Sequence, residues 1–342
     1  MKTNKQVLPN QWGVFCSLTK RHLMVFFKNI PTVLFTLMVP LAVLAVYALF
    51  LRPMETDQIK SILNQYHISY SETDPDGLAF LRKIYGIADC WMISGVMAVS
   101  CITVSLNTNY ILVRDKESGM TRDIISSPID HRTITLSYFS FNAIVTFLIN
   151  LIVYLICLLW LACYNAYMIS LTDFFAIIGV LILSTISASL LTFFVCSFIN
   201  TESVLSPVVA IMSAAVGFLI GAYLPNSMMP EGVQMLTTFF PGTYSAGLFR
   251  NYFMTHPIER LLQDPRVSGN TDFINALTSQ FSLNINFFGN DVPPSIMALV
   301  IFAFSGIFLI LNLAFASRNF IKVGHNSKKK GKKADKIVKG EE

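Results

Sequence analysis

The sequence predicts an all-α integral membrane protein with six transmembrane helices. Three observations predict it. Six long runs, at about 32–51, 91–113, 134–163, 174–199, 203–224 and 296–317, contain no Asp, Glu, Lys, Arg or His. Each is long enough, at ~1.5 Å per residue, to cross a hydrocarbon core of roughly 30 Å. The chain as a whole is 54% hydrophobic and 13% charged, where a soluble domain carries about 25% charged residues. Finally, Lys and Arg divide unevenly between the joining segments. Those on the side of the two termini (1–31, 114–133, 200–202 and 318–342) hold 18, and the opposite ones (52–90, 164–173 and 225–295) hold seven. The positive-inside rule then puts both termini in the cytoplasm. Three parts follow: residues 1–31, the six-span region 32–317 with its outside segments 52–90 and 225–295, and a basic, disordered tail 318–342.

The apolar runs also bear on energy. A carrier driven by protons or an ion gradient keeps a carboxylate or His at membrane depth. None lies within these runs, so energy for any transport is expected from outside the membrane segments. The first run lies behind a polar, basic stretch and is too long for a signal h-region, so it reads as a start-transfer anchor.

Taken in order, residues 10–29 read as an amphipathic helix on the inner membrane surface. Trp12, Phe15, Thr19, Leu23 and Phe26 recur at spacings of three and four, with Ser17, Lys20, Arg21 and Lys28 on or near the other face. Pro31 breaks the chain before the first span, and Pro40 falls inside it. In segment 52–90, Asp74-Pro75-Asp76-Gly77 is a turn signal between two short helical pieces, 58–66 and 79–87. The second span is rich in Ser94, Gly95, Ser100, Thr103, Ser105, Asn107, Thr108 and Asn109. In lipid such groups face other helices or a pathway.

Segment 114–133 is dense in charge at Arg114, Asp115, Lys116, Glu117, Arg122 and Asp123. Met120 and Ile124, four apart and extended by Ile125, form a small apolar knob inside that charged rim, and Ser126-Ser127-Pro128 stops the helix. This pattern suits docking into a protein groove, or else a plain connecting loop. In segment 225–295, residues 228–253 are mostly apolar but broken at Pro241-Gly242. A seventh crossing there would move the basic tail outside. Two short helices, about 229–239 and 243–254, are therefore expected to dip into the outer leaflet as a re-entrant hairpin. Tyr244 is expected at the interface and Arg250 with its head at headgroup level. The alternative is a loop folded wholly in water. Residues 255–294 read as a small outside lobe.

Six Cys without a CxxC pair, and five scattered His, favour neither a disulfide framework nor a metal site. The net charge of +5 reflects the lysine tail, a lipid-contact segment, and implies no nucleic-acid partner. No GxxxxGK[ST] occurs; Gly331-Lys332 is followed by Lys333 with no strand before it, so the chain has no P-loop.

Together these features resemble the membrane subunit of ABC transporters of the type-2 permease family, also called type V exporters. The resemblance rests on the amphipathic inner helix and on the run Glu117-Ser118-Gly119, Ile124-Ile125-Ser126-Ser127-Pro128-Ile129, Arg132-Thr133-Ile134. It also rests on Pro241, Tyr244 and Arg250 in the outer hairpin, and on six spans with both ends inside. It implies a bacterial plasma-membrane half-channel that pairs with a second permease half, identical or paralogous, and with two ATPase subunits that hold ATP and Mg. It implies no cofactor on this chain and no catalytic residue. Glu117, Gly119, Met120, Ile124, Ile125 and Pro128 would form a coupling helix docked on the ATPase, and Pro241, Tyr244 and Arg250 an exit hairpin. Cargo would be hydrophobic or amphipathic. Competing readings are an ATP-independent six-helix carrier or channel, and a membrane enzyme using Asp130-His131 or Asp173.

Overall fold

The computed structural model describes residues 10–71, 73–164, 169–223, 229–281, 285–287 and 290–316. The basic tail and the last residue of the fifth apolar run lie outside them. Among the described residues, six helices are long and apolar enough to cross a membrane.

Helix α1 (Gln11–Lys28) opens at Asn10, whose side chain accepts from the Trp12 amide. The buried stripe of α1 is Thr19, His22 and Phe26, while Trp12 is 70% exposed. Pro31 occupies the first turn of α2 (Ile30–Val46), where its missing N–H costs nothing. A π-helical turn, Tyr47–Leu51, carries α2 directly into α3 (Arg52–Gln65). The first span is thus one helix of 36 residues, Ile30–Gln65.

The second span departs further from its apolar run. Asp74-Pro75 starts a helix rather than a reversal: α4 (Pro75–Thr108) continues through Asn109 into α5 (Tyr110–Glu117). Its 43 residues correspond to roughly 65 Å of helix, about twice the hydrocarbon core. The expected helical piece 79–87 is absorbed into it. This helix is the core of the molecule, with α2, α7 (His131–Cys163), α8 (Leu171–Ser197), α9 (Glu202–Leu219) and α11 (Pro241–Leu262) packed around it. Its small polar groups face those neighbours. Ser105 Oγ donates to Asn142 Oδ1 at 2.7 Å and lies 2.6 Å from Thr192 Oγ1, while Asn142 Nδ2 returns to the Ser105 carbonyl at 3.0 Å. An unpaired hydroxyl or amide in hydrocarbon would be costly, so these contacts fix which faces of α4, α7 and α8 meet.

Between α5 and α7 runs the short α6 (Met120–Ser126). At the other end of the bundle, α10 (Glu231–Thr237) precedes α11, followed by α12 (Thr271–Gln280). A two-stranded antiparallel pair comes next, β1 (Ile285–Phe287) with β2 (Asn290–Val292), Asn286 facing Asp291. The last span, α13 (Pro294–Leu311), ends in a second π turn, Asn312–Ala316. Alternation of the spans brings α1 and the end of α13 to the same end of the bundle as α6. The outer faces expose Leu34, Phe35 and Met38 on α2, Leu148, Ile152 and Leu155 on α7, and Leu299 and Phe302 on α13. That is the lipid-facing surface expected of spans whose windows are only 22% or 44% buried, against 100% for α4–α5.

Candidate functional site

Two places gather the residues singled out above. The first is the corner around α6. Helix α5 ends with the Ser118 amide on the Arg114 carbonyl at 2.9 Å and the Gly119 amide on the Lys116 carbonyl at 3.3 Å. Gly119 takes φ +85°, a left-handed conformation that turns the chain into α6 with no Cβ to strain it. Met120 is 40% exposed, Ile124 and Ile125 are half-buried, and Thr121 is the buried contact of the helix. Ser127 is extended ahead of the exposed Pro128. Asp130 then caps α7 by accepting from the Arg132 amide at 3.0 Å. Gln11 of α1 reaches over, its Oε1 accepting from Thr133 Oγ1 at 3.0 Å.

What holds this corner is the last turn of α5, through three consecutive side chains. Asp115 Oδ2 accepts from Arg21 Nη1 and from the Tyr138 hydroxyl, both at 2.7 Å, which binds α5 to α1 and α7. Lys116 is buried, and its Nζ donates to the carbonyls of Cys196, Ser197 and Ile199 at 3.3, 2.6 and 3.1 Å. These carbonyls lie at the C-terminal end of α8, where a cation is favoured by the helix dipole. Glu117 Oε2 accepts from the Glu202 amide at 2.8 Å, at the N-terminus of α9, where an anion is favoured. One turn of helix therefore closes the end of α8, opens α9 and ties down α1. His22, fully buried on α1, stacks on Tyr138 with ring centroids 4.0 Å apart. Burial, and then the neighbouring Arg21, lower its pKa to about 4.

The second place is the α10–α11 hairpin. The expected pair of short helices is present, but α11 is long and its first part is not interfacial. Residues 241–250 are all buried. Tyr244 is 4% exposed, and Arg250, expected at headgroup level, is 1% exposed. Arg250 Nη2 donates to the carbonyl of Gly221, and its guanidinium lies 5.5 Å from the ring centre of Trp91. Gly221, at φ +65°, turns the chain out of α9 and leaves a buried carbonyl that needs a donor. A buried cation over an indole face supplies it, which outweighs snorkelling. Trp91 in turn donates through Nε1 to the Phe281 carbonyl at 3.0 Å. Gly95 permits this close packing, since a Cβ there would come 2.7 Å from the Ala222 carbonyl oxygen. The exposed apolar residues of the hairpin include Val233, Met235, Leu236, Phe239 and Phe240. The stretch that follows α11 is fastened to α4 by Lys83–Asp264 at 3.0 Å and by Arg266 on the Asp76 carbonyl at 3.1 Å.

The model of the ABC-2 family transporter proteins matches residues 53–314. The chain belongs to that family. No curated protein matches it. As an ABC-2 protein it is a multi-pass membrane subunit of a transport system, of a kind generally without its own ATPase site and typically working with ABC ATPase subunits. The match excludes α1, so the Arg21–Asp115 contact joins a residue outside the matched region to one inside it.

Within this ABC-2 protein, the sequence singles out the α6 residues but not the side chains that support them. Asp115 and Lys116 were visible only as charges. The signal was their position, immediately after an apolar run, where a charge on a continuing helix must find a partner. His22, Tyr138 and Trp91 gave no signal, because a single His or aromatic residue on an apolar stripe looks like packing. Among the described residues no group of His, Cys, Asp and Glu has the arrangement of a metal site.

Proposed function

We propose that this chain is one half of an ATP-driven export permease that moves a hydrophobic or amphipathic substrate outward across a bacterial plasma membrane, with both termini in the cytoplasm. Two ATPase subunits, carrying ATP and Mg, would dock at α6, and a second permease half, identical or paralogous, would complete the path. One observation carries this reading: α6 is an exposed helix hung from a turn whose Asp115, Lys116 and Glu117 grip α1, α7, α8 and α9. A displacement of α6 would reach four other helices through hydrogen bonds rather than through a slack loop. Such transmission needs a rigid element with two arrangements. Met120 is the apolar anchor offered to the ATPase, while Glu117, Gly119, Ile124, Ile125 and Pro128 set its position.

The six apolar runs are rich in Phe, Ser, Thr and Asn and hold no fixed charge, which favours amphipathic or hydrophobic cargo over small ions. The α10–α11 hairpin would flank the exit, with Pro241, Tyr244 and Arg250 as its internal support and Leu236 and Phe239 against the outer leaflet. The test is isolation in mild detergent with identification of the co-purifying ATPase, followed by vesicle ATPase assays with and without hydrophobic cargo. Substrate-stimulated hydrolysis that needs this chain supports the proposal. Transport driven without any ATPase would replace it with a carrier or channel.

A further inference from the structure

A cleft of about 330 Å³ opens at the α6 end of the bundle, between the α1–α2 junction on one side and α5 with the start of α9 on the other. That volume lies within the roughly 300–1,000 Å³ range of small-molecule sites. Its apolar lining is Phe26 and Ile111, both buried, with Val25 and Phe35, 37% and 68% exposed, leading out to the lipid-facing surface of α2. Its polar lining includes Asn29, Asn107, Tyr110, the exposed Arg114 and the half-buried Glu202. Among the described residues neither Arg114 nor Glu202 has an ion-pair partner, and they do not pair with each other although they line one cleft. Along the same turn of α5 the next three charges are taken up inside the bundle: Asp115 by Arg21, Lys116 by three carbonyls, Glu117 by a backbone amide.

We infer that this cleft holds one phospholipid with a zwitterionic headgroup, of the phosphatidylethanolamine type. The phosphate takes Arg114, the ammonium takes Glu202, and an acyl chain runs out past Phe26 and Phe35. An arginine fork matches phosphate oxygens, and a carboxylate on the neighbouring helix α9 selects a headgroup that carries a cation. The amphipathic lining accounts for lipid rather than a free anion, since a small anion leaves the apolar wall unfilled. The site goes beyond the transport reading, and it does not require the bound lipid to be the cargo.

The test uses the purified full chain in detergent, without an ATPase, so its outcome is separate from that of the transport assay. Dioctanoyl phosphatidylethanolamine is expected to raise the unfolding midpoint more than dioctanoyl phosphatidylglycerol, and inorganic phosphate is expected to have no effect. Arg114→Gln should weaken binding of both lipids about tenfold, the loss of one charge-assisted contact. Glu202→Gln should abolish only the preference for the ethanolamine lipid. A photo-crosslinker at Phe35 in the otherwise unaltered chain should capture lipid. Equal responses of wild type and variants, a full effect from phosphate alone, or capture of a second protein chain in place of lipid would each overturn the assignment.

Discussion

Arg21 and Asp115 stand 94 positions apart in the chain, and the Arg21 guanidinium holds the Asp115 carboxylate with both Nη atoms, at 2.7 and 3.2 Å. The pair joins the amphipathic helix α1 to the turn from which α6 hangs. Arg21 keeps 29% of its side chain exposed and Asp115 only 9%, so the two ends of the bond are not equivalent. Removing Asp115 leaves Tyr138 without its acceptor and Arg21 half-buried without its anion. Removing Arg21 leaves a carboxylate that Tyr138 still serves. We expect Asp115→Ala to lower unfolding stability in detergent by about 3 kcal/mol and Arg21→Ala by about 1 kcal/mol. The double variant should cost less than the sum of the two, and strict additivity would show that the pair contributes nothing of its own.

His22 gives stability a pH dependence. Its pKa is lowered to about 4 in the folded protein, against about 6.5 in an unfolded chain. The unfolded state therefore binds more protons between these values, and stability rises with pH across that window. The contribution is fully present above about 6.5 and is lost as pH falls toward 4, with a slope of up to about 1.4 kcal/mol per pH unit. Thermal unfolding of His22→Phe, which keeps the ring against Tyr138, should show a flatter profile between pH 4 and 6.5. An unchanged profile would assign the dependence to another group.

Met120 is the cleaner probe of ATPase docking. Ile124 is half-buried against the bundle, so Ile124→Asp disturbs the chain's own packing as well as any interface. Met120→Asp should leave unfolding stability within about 0.5 kcal/mol, as surface changes do. It should abolish substrate-stimulated hydrolysis, at an interface cost of about 1–3 kcal/mol. Full stimulation in that variant would remove α6 as the docking element.

Two glycines fail for different reasons when a Cβ is added. Around Gly119 there is open space, but φ is +85°, so Gly119→Ala should cost about 1 kcal/mol through backbone strain alone, with Gly119→Asn milder. Gly95 has an ordinary helical backbone, but its Cβ would meet the Ala222 carbonyl. Gly95→Ala should therefore push α4 away from the turn after α9 and cost about 1–3 kcal/mol. Equal tolerance of both substitutions in a thermal-shift series would contradict this distinction.

The hairpin makes an unequal pair of positions. Leu236 is 60% exposed and Leu248 only 2% exposed. A fluorescent probe at Leu236 should be quenched by lipid-borne quenchers, while one at Leu248 should be shielded or should destabilise the fold. Arg250→Ala should lower stability by about 2–4 kcal/mol, since it strands the Gly221 carbonyl and opens a void beside Trp91. A neutral result would place Arg250 at the surface, as the sequence suggested.

The sequence by itself determined the six spans and the helical class, because roughly twenty residues without charge cross a bilayer by length alone. It also determined the α1 boundaries within one residue, since Asn10 and Asn29 flank a periodic stripe, and the site of the α5–α6 corner, marked by Gly119 and Pro128. The family statement was legible for the same reason: its motifs are local. Helix lengths were decided only by tertiary structure. Residues 52–65 and 75–90 read as an outside segment with two separate short helical pieces, yet they run on unbroken into the first and second spans, and α4 finds packing partners on α2, α7, α8, α9 and α11. Pairing was also out of reach. Asp115 meets Arg21, Arg250 meets Gly221 and Trp91 meets Phe281 across 94, 29 and 190 positions, and no spacing rule links residues so far apart. Arg250 shows the physical point: an arginine near a membrane snorkels when nothing inside requires it, and here the buried carbonyl of Gly221 does.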